Sequence, residues 1–167
     1  MRHISQRVAL SLLGIVGLLI GASPAATQTQ TCQFNISLPG ARTSTFTISS
    51  QGVHCLTTDV TMAASFTSGN AIEISANNVV LDLNGHKLGG QAAGPGTTAR
   101  GIHAFQRKNI TLKNGTVRGF NVGIFLEDVG PSSTSQGHRV EGVRAEGNTG
   151  TGIWVLGQGN VVRGNQW

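Results

Sequence analysis

The chain has 167 residues, 12 basic against 7 acidic, and a formal net charge of +5. Gly numbers 24, Tyr is absent and aromatics make up only 5 %; a chain this rich in Gly, Asn, Ser and Thr is poor material for helices, which excludes a helical domain. The basic excess is mild and dispersed, which excludes a nucleic-acid partner.

Residues 1–25 read as a signal peptide. Arg2 and Arg7 precede an apolar run over 8–22, and Ser23-Pro24-Ala25 supplies small residues for cleavage. The run of 15 is short beside the roughly 20 residues of a membrane span. The mature protein is therefore expected to be secreted or periplasmic, with no membrane attachment after cleavage; an uncleaved anchor is the alternative. Loss of Arg2 and Arg7 takes the basic count from 12 to 10 against 7 acids. That leaves a weak attraction to acidic polymers open.

Residues 26–70 read as an N-terminal capping segment, rich at first in Thr, Ser and Gln. Phe46 and Ile48 predict one short strand, and Val60 and Met62 another. Cys32 and Cys55 are the only cysteines. In an exported chain such a pair is expected to form a disulfide, with two free thiols as the alternative.

Residues 71–167 carry a repeat. Ala71-Ile72-Glu73-Ile74, Gly101-Ile102-His103-Ala104, Gly123-Ile124-Phe125-Leu126 and Gly152-Ile153-Trp154-Val155 align, with Ile-to-Ile spacings of 30, 22 and 29 residues. Three are followed by a second matching piece at Asn78-Val79-Val80-Leu81, Asn109-Ile110-Thr111-Leu112 and Asn160-Val161-Val162. Short alternating strands at this period predict a parallel β-helix of about four coils, with the four isoleucines in one inward column. The stretch from Glu127 to His138 reads as an inserted loop. Asn114, Asn148 and Asn165 at repeated turns are expected to bond between coils. The chain stops inside a repeat, at Gln166-Trp167, which predicts a fragment of a longer protein or self-association through an open C-terminal coil.

The run from Asn78 to Leu88 (NVVLDLNGHKL), with Gly101-Ile102 and the run from Asn109 to Val117 (NITLKNGTV), resembles secreted bacterial right-handed parallel β-helix repeat proteins. These share the pectin-lyase-like fold and are similar to NosD-type repeat proteins; the resemblance covers roughly residues 55–165. It implies an all-β, right-handed parallel β-helix. Some members are carbohydrate lyases, hydrolases or epimerases. Their motifs are incomplete here: Asn148-Thr149 is followed by Gly150, and His138 by Arg139.

The leading functional expectation is an exported scaffold contacting polysaccharide or another surface polymer. The alternatives are a polysaccharide lyase or glycoside hydrolase, and a structural or assembly module. Glu127 and Asp128 are weak catalytic candidates, because adjacent carboxylates on a strand diverge. Calcium enters only with the lyase alternative, and no other metal or cofactor is expected. His86 reads as a turn residue. The positions after the inward isoleucines make an outward column of Glu73, His103, Phe125 and Trp154, and two residues on stand Ser75, Phe105, Glu127 and Leu156. His103, Phe105, Phe125 and Trp154 are the carbohydrate-contact candidates, with Glu73 and Glu127 in reach of hydroxyls. Burial of the stripe under another element is the competing expectation.

Overall fold

A computed structural model describes residues 31–129 and 134–167; the expected signal peptide lies outside these. Fourteen strands account for nearly all regular structure: β1 (Phe34–Ile36), β2 (Ala41–Arg42), β3 (Phe46–Ile48), β4 (Gly52–Leu56), β5 (Val60–Met62), β6 (Asn70–Ile74), β7 (Val79–Asp82), β8 (Lys87–Gly89), β9 (Arg100–Phe105), β10 (Thr111–Arg118), β11 (Val122–Glu127), β12 (Arg139–Arg144), β13 (Thr151–Val155) and β14 (Val161–Arg163). Among the described residues one 3-10 turn, Gln91–Ala93, interrupts them.

Every strand pairing is parallel. One sheet runs β13-β11-β9-β6-β3; the other runs β1-β4-β7-β10-β8-β5-β2, with β12 on β10 and β14 on β12. Strands that are neighbours in sequence therefore seldom pair. Each pairs instead with its counterpart one repeat away, as repeat spacing without two-residue hairpins requires. The expected boundary at residue 70 falls at the start of β6, and strands on both sides of it belong to the same two sheets.

The register places Phe46, Ile72, Ile102, Ile124 and Ile153 opposite one another in turn. Ile72, Ile102 and Ile124 are fully buried. They join Leu81, Leu112 and Val140, which stand in register on the other sheet, in one hydrophobic cluster. Period-2 alternation on both sheets thus fills the space between them with stacked branched side chains. At one end Ile36 and Ile48 are buried although they lie on edge strands. At the other end Ile153 and Val155 are only partly buried, and β13 and β14 each pair on one side.

Two backbone devices hold the repeat. Gly101, Gly123 and Gly152 precede the column isoleucines. A Cβ on Gly101 would collide with the carbonyl of Gly123, and one on Gly123 would lie 2.6 Å from the carbonyl of Gly152. Strands in register leave no room there for a side chain. Asn78, Asn84 and Asn109 at turns, and Asn114 within β10, adopt positive φ of 51° to 58°, a conformation Asn tolerates better than most residues.

The expected asparagine bonds are present. Asn148 accepts from the Phe120 N–H through Oδ1 (3.1 Å) and donates to the Val117 carbonyl (3.2 Å). Asn165 does the same with Val143 (2.9 Å) and Val140 (2.9 Å). Asn114 reaches Asp82 at 3.3 Å.

Cys32 and Cys55 form a disulfide with Cα atoms 5.7 Å apart, across a sequence separation of 23. It ties the segment leading into β1 to β4, the strand that β1 already pairs with. Closing a loop of this length is worth about 3 kcal/mol in the chain-entropy model. Cys32→Ser is therefore expected to lower unfolding free energy by about that amount. Urea melts of wild type and variant, each with and without reductant, check it: reductant should shift the wild type alone.

Candidate functional site

The outer face of the five-stranded sheet carries the chemistry. Parallel register sets Glu73 opposite His103, His103 opposite Phe125 and Phe125 opposite Trp154. It also sets Phe105 opposite Glu127. The first expected column thus runs across β6, β9, β11 and β13, and the second is in register at Phe105 and Glu127, with Ser75 and Leu156 just beyond β6 and β13.

Their exposure differs from expectation. His103 and Phe125 are each only 7 % exposed, while Trp154 is 46 % exposed. Both buried side chains point away from the core, and their neighbours on this face cover them. Glu73 Oε2 accepts from His103 Nδ1–H at 2.8 Å, and Glu127 Oε2 accepts from Nε2–H at 2.9 Å. Asn70 donates to the same Glu73 oxygen at 2.7 Å. The Arg100 guanidinium sits 5.0 Å above the Phe125 ring and 3.9 Å from Glu127 Oε2. Trp154 stacks on Phe125 with centroids 4.8 Å apart. That separation is close to the strand spacing, so the rings lie face to face along the ladder. Phe125 therefore has Trp154 and Arg100 against its ring, and Trp154 is the aromatic of the column with substantial exposed surface.

Burial alone would push the His103 pKa down. The hydrogen bonds to Glu73 and Glu127, with attraction to Glu73, outweigh it and hold the pKa above the ordinary value; Arg100 acts against them. An imidazolium donates from both nitrogens, which is what two flanking carboxylates require. Three strands, β6, β9 and β11, are thereby joined by one side chain.

This geometry bears on catalysis. Carboxylates in glycoside hydrolysis act across an open gap that admits the sugar or a water. Here an imidazole fills the gap between Glu73 and Glu127. Glu127 faces His103, and Asp128 follows the end of β11.

His138, which the sequence offered only as an incomplete motif, forms a second buried polar group. Its Nδ1 accepts the Ile110 N–H at 3.2 Å, so the proton lies on Nε2 and faces Ser135 Oγ at 2.6 Å. In this tautomer His138 cannot take a proton from Ser135, so the pair is a structural lock rather than a nucleophile and base. Burial holds the His138 pKa below the ordinary value, against the attraction of Asp128.

His86 lies at a turn, with its N–H bonded to the Leu83 carbonyl at 2.7 Å and Nδ1 3.4 Å from Asp59. Among the described residues no group of three or more His, Cys, Asp or Glu side chains is placed to hold a metal ion. The surface hollow lined by Gln91, Gly94, Pro95, Gly119, Gly147 and Thr149 contains no ionisable side chain. No helix among the described residues is long and apolar enough to cross a membrane.

Alternation alone placed Glu73, His103, Phe125 and Trp154 on one face. It could not reveal that Arg100 and Asn70, at the starts of their strands, close over that face. Their paired positions at the head of β9 and β6 were the available signal. No protein-family model, curated protein or solved structure matches this chain.

Proposed function

We propose that this chain is an exported right-handed parallel β-helix scaffold that contacts polysaccharide through the outer face of its five-stranded sheet. The observation that carries the reading is the exposed Trp154 indole, at the end of a stacked column beside partly exposed carboxylates and Arg100. Sugar recognition combines an aromatic ring for the C–H face of a pyranose with planar polar groups for its hydroxyls. A disulfide suits an oxidising compartment outside the cytoplasm. The all-parallel pairing and the stacked isoleucine register support the β-helix.

A structural or assembly role is the second reading, favoured by the coverage of Phe125. The half-buried Ile153 and Val155 on the edge strand β13 add self-association to that reading.

Trp154→Ala separates the two. Under the carbohydrate reading, retention on a polysaccharide matrix falls several-fold and the β-sheet circular dichroism is unchanged. Unchanged retention ends that reading, and loss of the β-sheet signal assigns Trp154 to packing.

A further inference from the structure

Resting on that carbohydrate reading, we infer that the polymer contacted by this face is an uncharged glycan, recognised through its hydroxyls, and not an acidic or a cationic one. The charges on this face are already committed to one another. The face carries two carboxylates, Glu73 and Glu127, and two cationic groups, His103 and Arg100. Both ring nitrogens of His103 are bonded to those carboxylates. Arg100 lies over Phe125 and beside Glu127.

A uronate or sulfated polymer approaching Trp154 meets two partly exposed carboxylates, and among the described residues the cations of this face, His103 and Arg100, already have carboxylate partners. Loss of the His103 proton would make the face net negative and deepen the repulsion. A cationic amino-sugar polymer fares little better, since each carboxylate already accepts from a charged donor. A neutral hydroxyl has neither difficulty. Both carboxylates use Oε2 for these contacts, the one with Asn70 included, and among the described residues neither Oε1 accepts a hydrogen bond. A hydroxyl can donate to Oε1 while the sugar ring rests on the indole, with no net charge desolvated.

The other sheet is different. Arg139 and Arg163 share Glu141 at 2.6 and 2.8 Å, and Arg118 and Arg144 share Glu146 at 3.8 and 3.7 Å. One carboxylate per two arginines leaves that side with a cationic surplus. An acidic polymer would be drawn there, away from Trp154.

The experiment is a retention assay of the full chain on matrices bearing a neutral β-glucan, polygalacturonate or chitosan, with wild type, Trp154→Ala and Arg163→Gln. Circular dichroism confirms that each variant folds. The expected result is retention on the neutral glucan that is insensitive to salt and falls several-fold in Trp154→Ala. Any wild-type retention on polygalacturonate should be salt-sensitive and unaffected by Trp154→Ala. Arg163→Gln, which removes one cation from the other sheet, should lower any polygalacturonate retention and leave glucan retention unchanged. Trp154-dependent retention on polygalacturonate or chitosan, with none on the glucan, overturns this inference but leaves the carbohydrate site standing. Polygalacturonate retention that is salt-sensitive yet unchanged in Arg163→Gln overturns the charge argument. Retention that is absent from all three matrices, or indifferent to Trp154 on all three, overturns the carbohydrate reading and this inference together.

Discussion

Gly101→Val should destabilise the fold by about 3 kcal/mol or more, because the added side chain has no direction in which to relax. The new Cβ would meet the Gly123 carbonyl, Val117 Cγ1 at 2.6 Å and the Phe120 ring at 3.0 Å. The first is backbone held in a parallel ladder, and Val117 and Phe120 are both fully buried. Relief therefore means parting β9 from β11, which breaks the stacking of Ile102 on Ile124. Gly96 is the control: nothing lies within 4 Å of a Cβ there. Gly96→Ala should be neutral or slightly stabilising, by restricting the unfolded chain. Urea denaturation of both variants checks the contrast. Equal, small effects would mean that the glycine column is not a close-approach device.

His103→Ala should cost about 2–3 kcal/mol at neutral pH, somewhat below a fully buried pair because Glu73 and Glu127 are partly exposed. It removes the donor to both carboxylates and leaves two negative charges facing one cavity. The pH dependence supplies a second readout. The His103 pKa is raised in the folded protein. Its stabilisation is therefore full below the unfolded value of about 6.5 and is lost as pH rises through the folded value. His138 behaves oppositely, since its folded pKa is lowered. Its contribution is present above about pH 6.5 and is lost as pH falls towards the folded value. Wild-type stability should decline on both sides of a maximum. His103→Ala should abolish the decline on the alkaline side and keep the one on the acid side. His103→Gln, which keeps a hydrogen-bond donor but carries no charge, should fall between. An alkaline limb that persists in His103→Ala would show that His103 is not its source.

Much of this was legible from residue order. Alternation with a recurring Gly-Ile pair predicted the inward column, because a period of two fixes which side of a strand each residue takes. The same rule placed Glu73, His103, Phe125 and Trp154 on the opposite side, and the ladder bears that out. Alternation gives direction but not coverage. It could not show that Arg100 closes over Phe125, or that the histidine would sit between two carboxylates rather than face solvent. Those contacts join residues 24 to 30 apart, and they depend on how side chains lean along the ladder. The Ser135–His138 bond was invisible for a related reason. It exists only because His138 lies beside the Ile110 N–H of an earlier strand turn, a placement that no local pattern encodes.

The most direct test of the central claim is an amide NMR titration of the 15N-labelled chain with a soluble neutral oligosaccharide. The account predicts that the largest shift changes fall on the Trp154 indole N–H and on residues of β6, β9, β11 and β13 that face outward with it. Shift changes confined to the nine-stranded sheet, or none at saturating oligosaccharide, would contradict it.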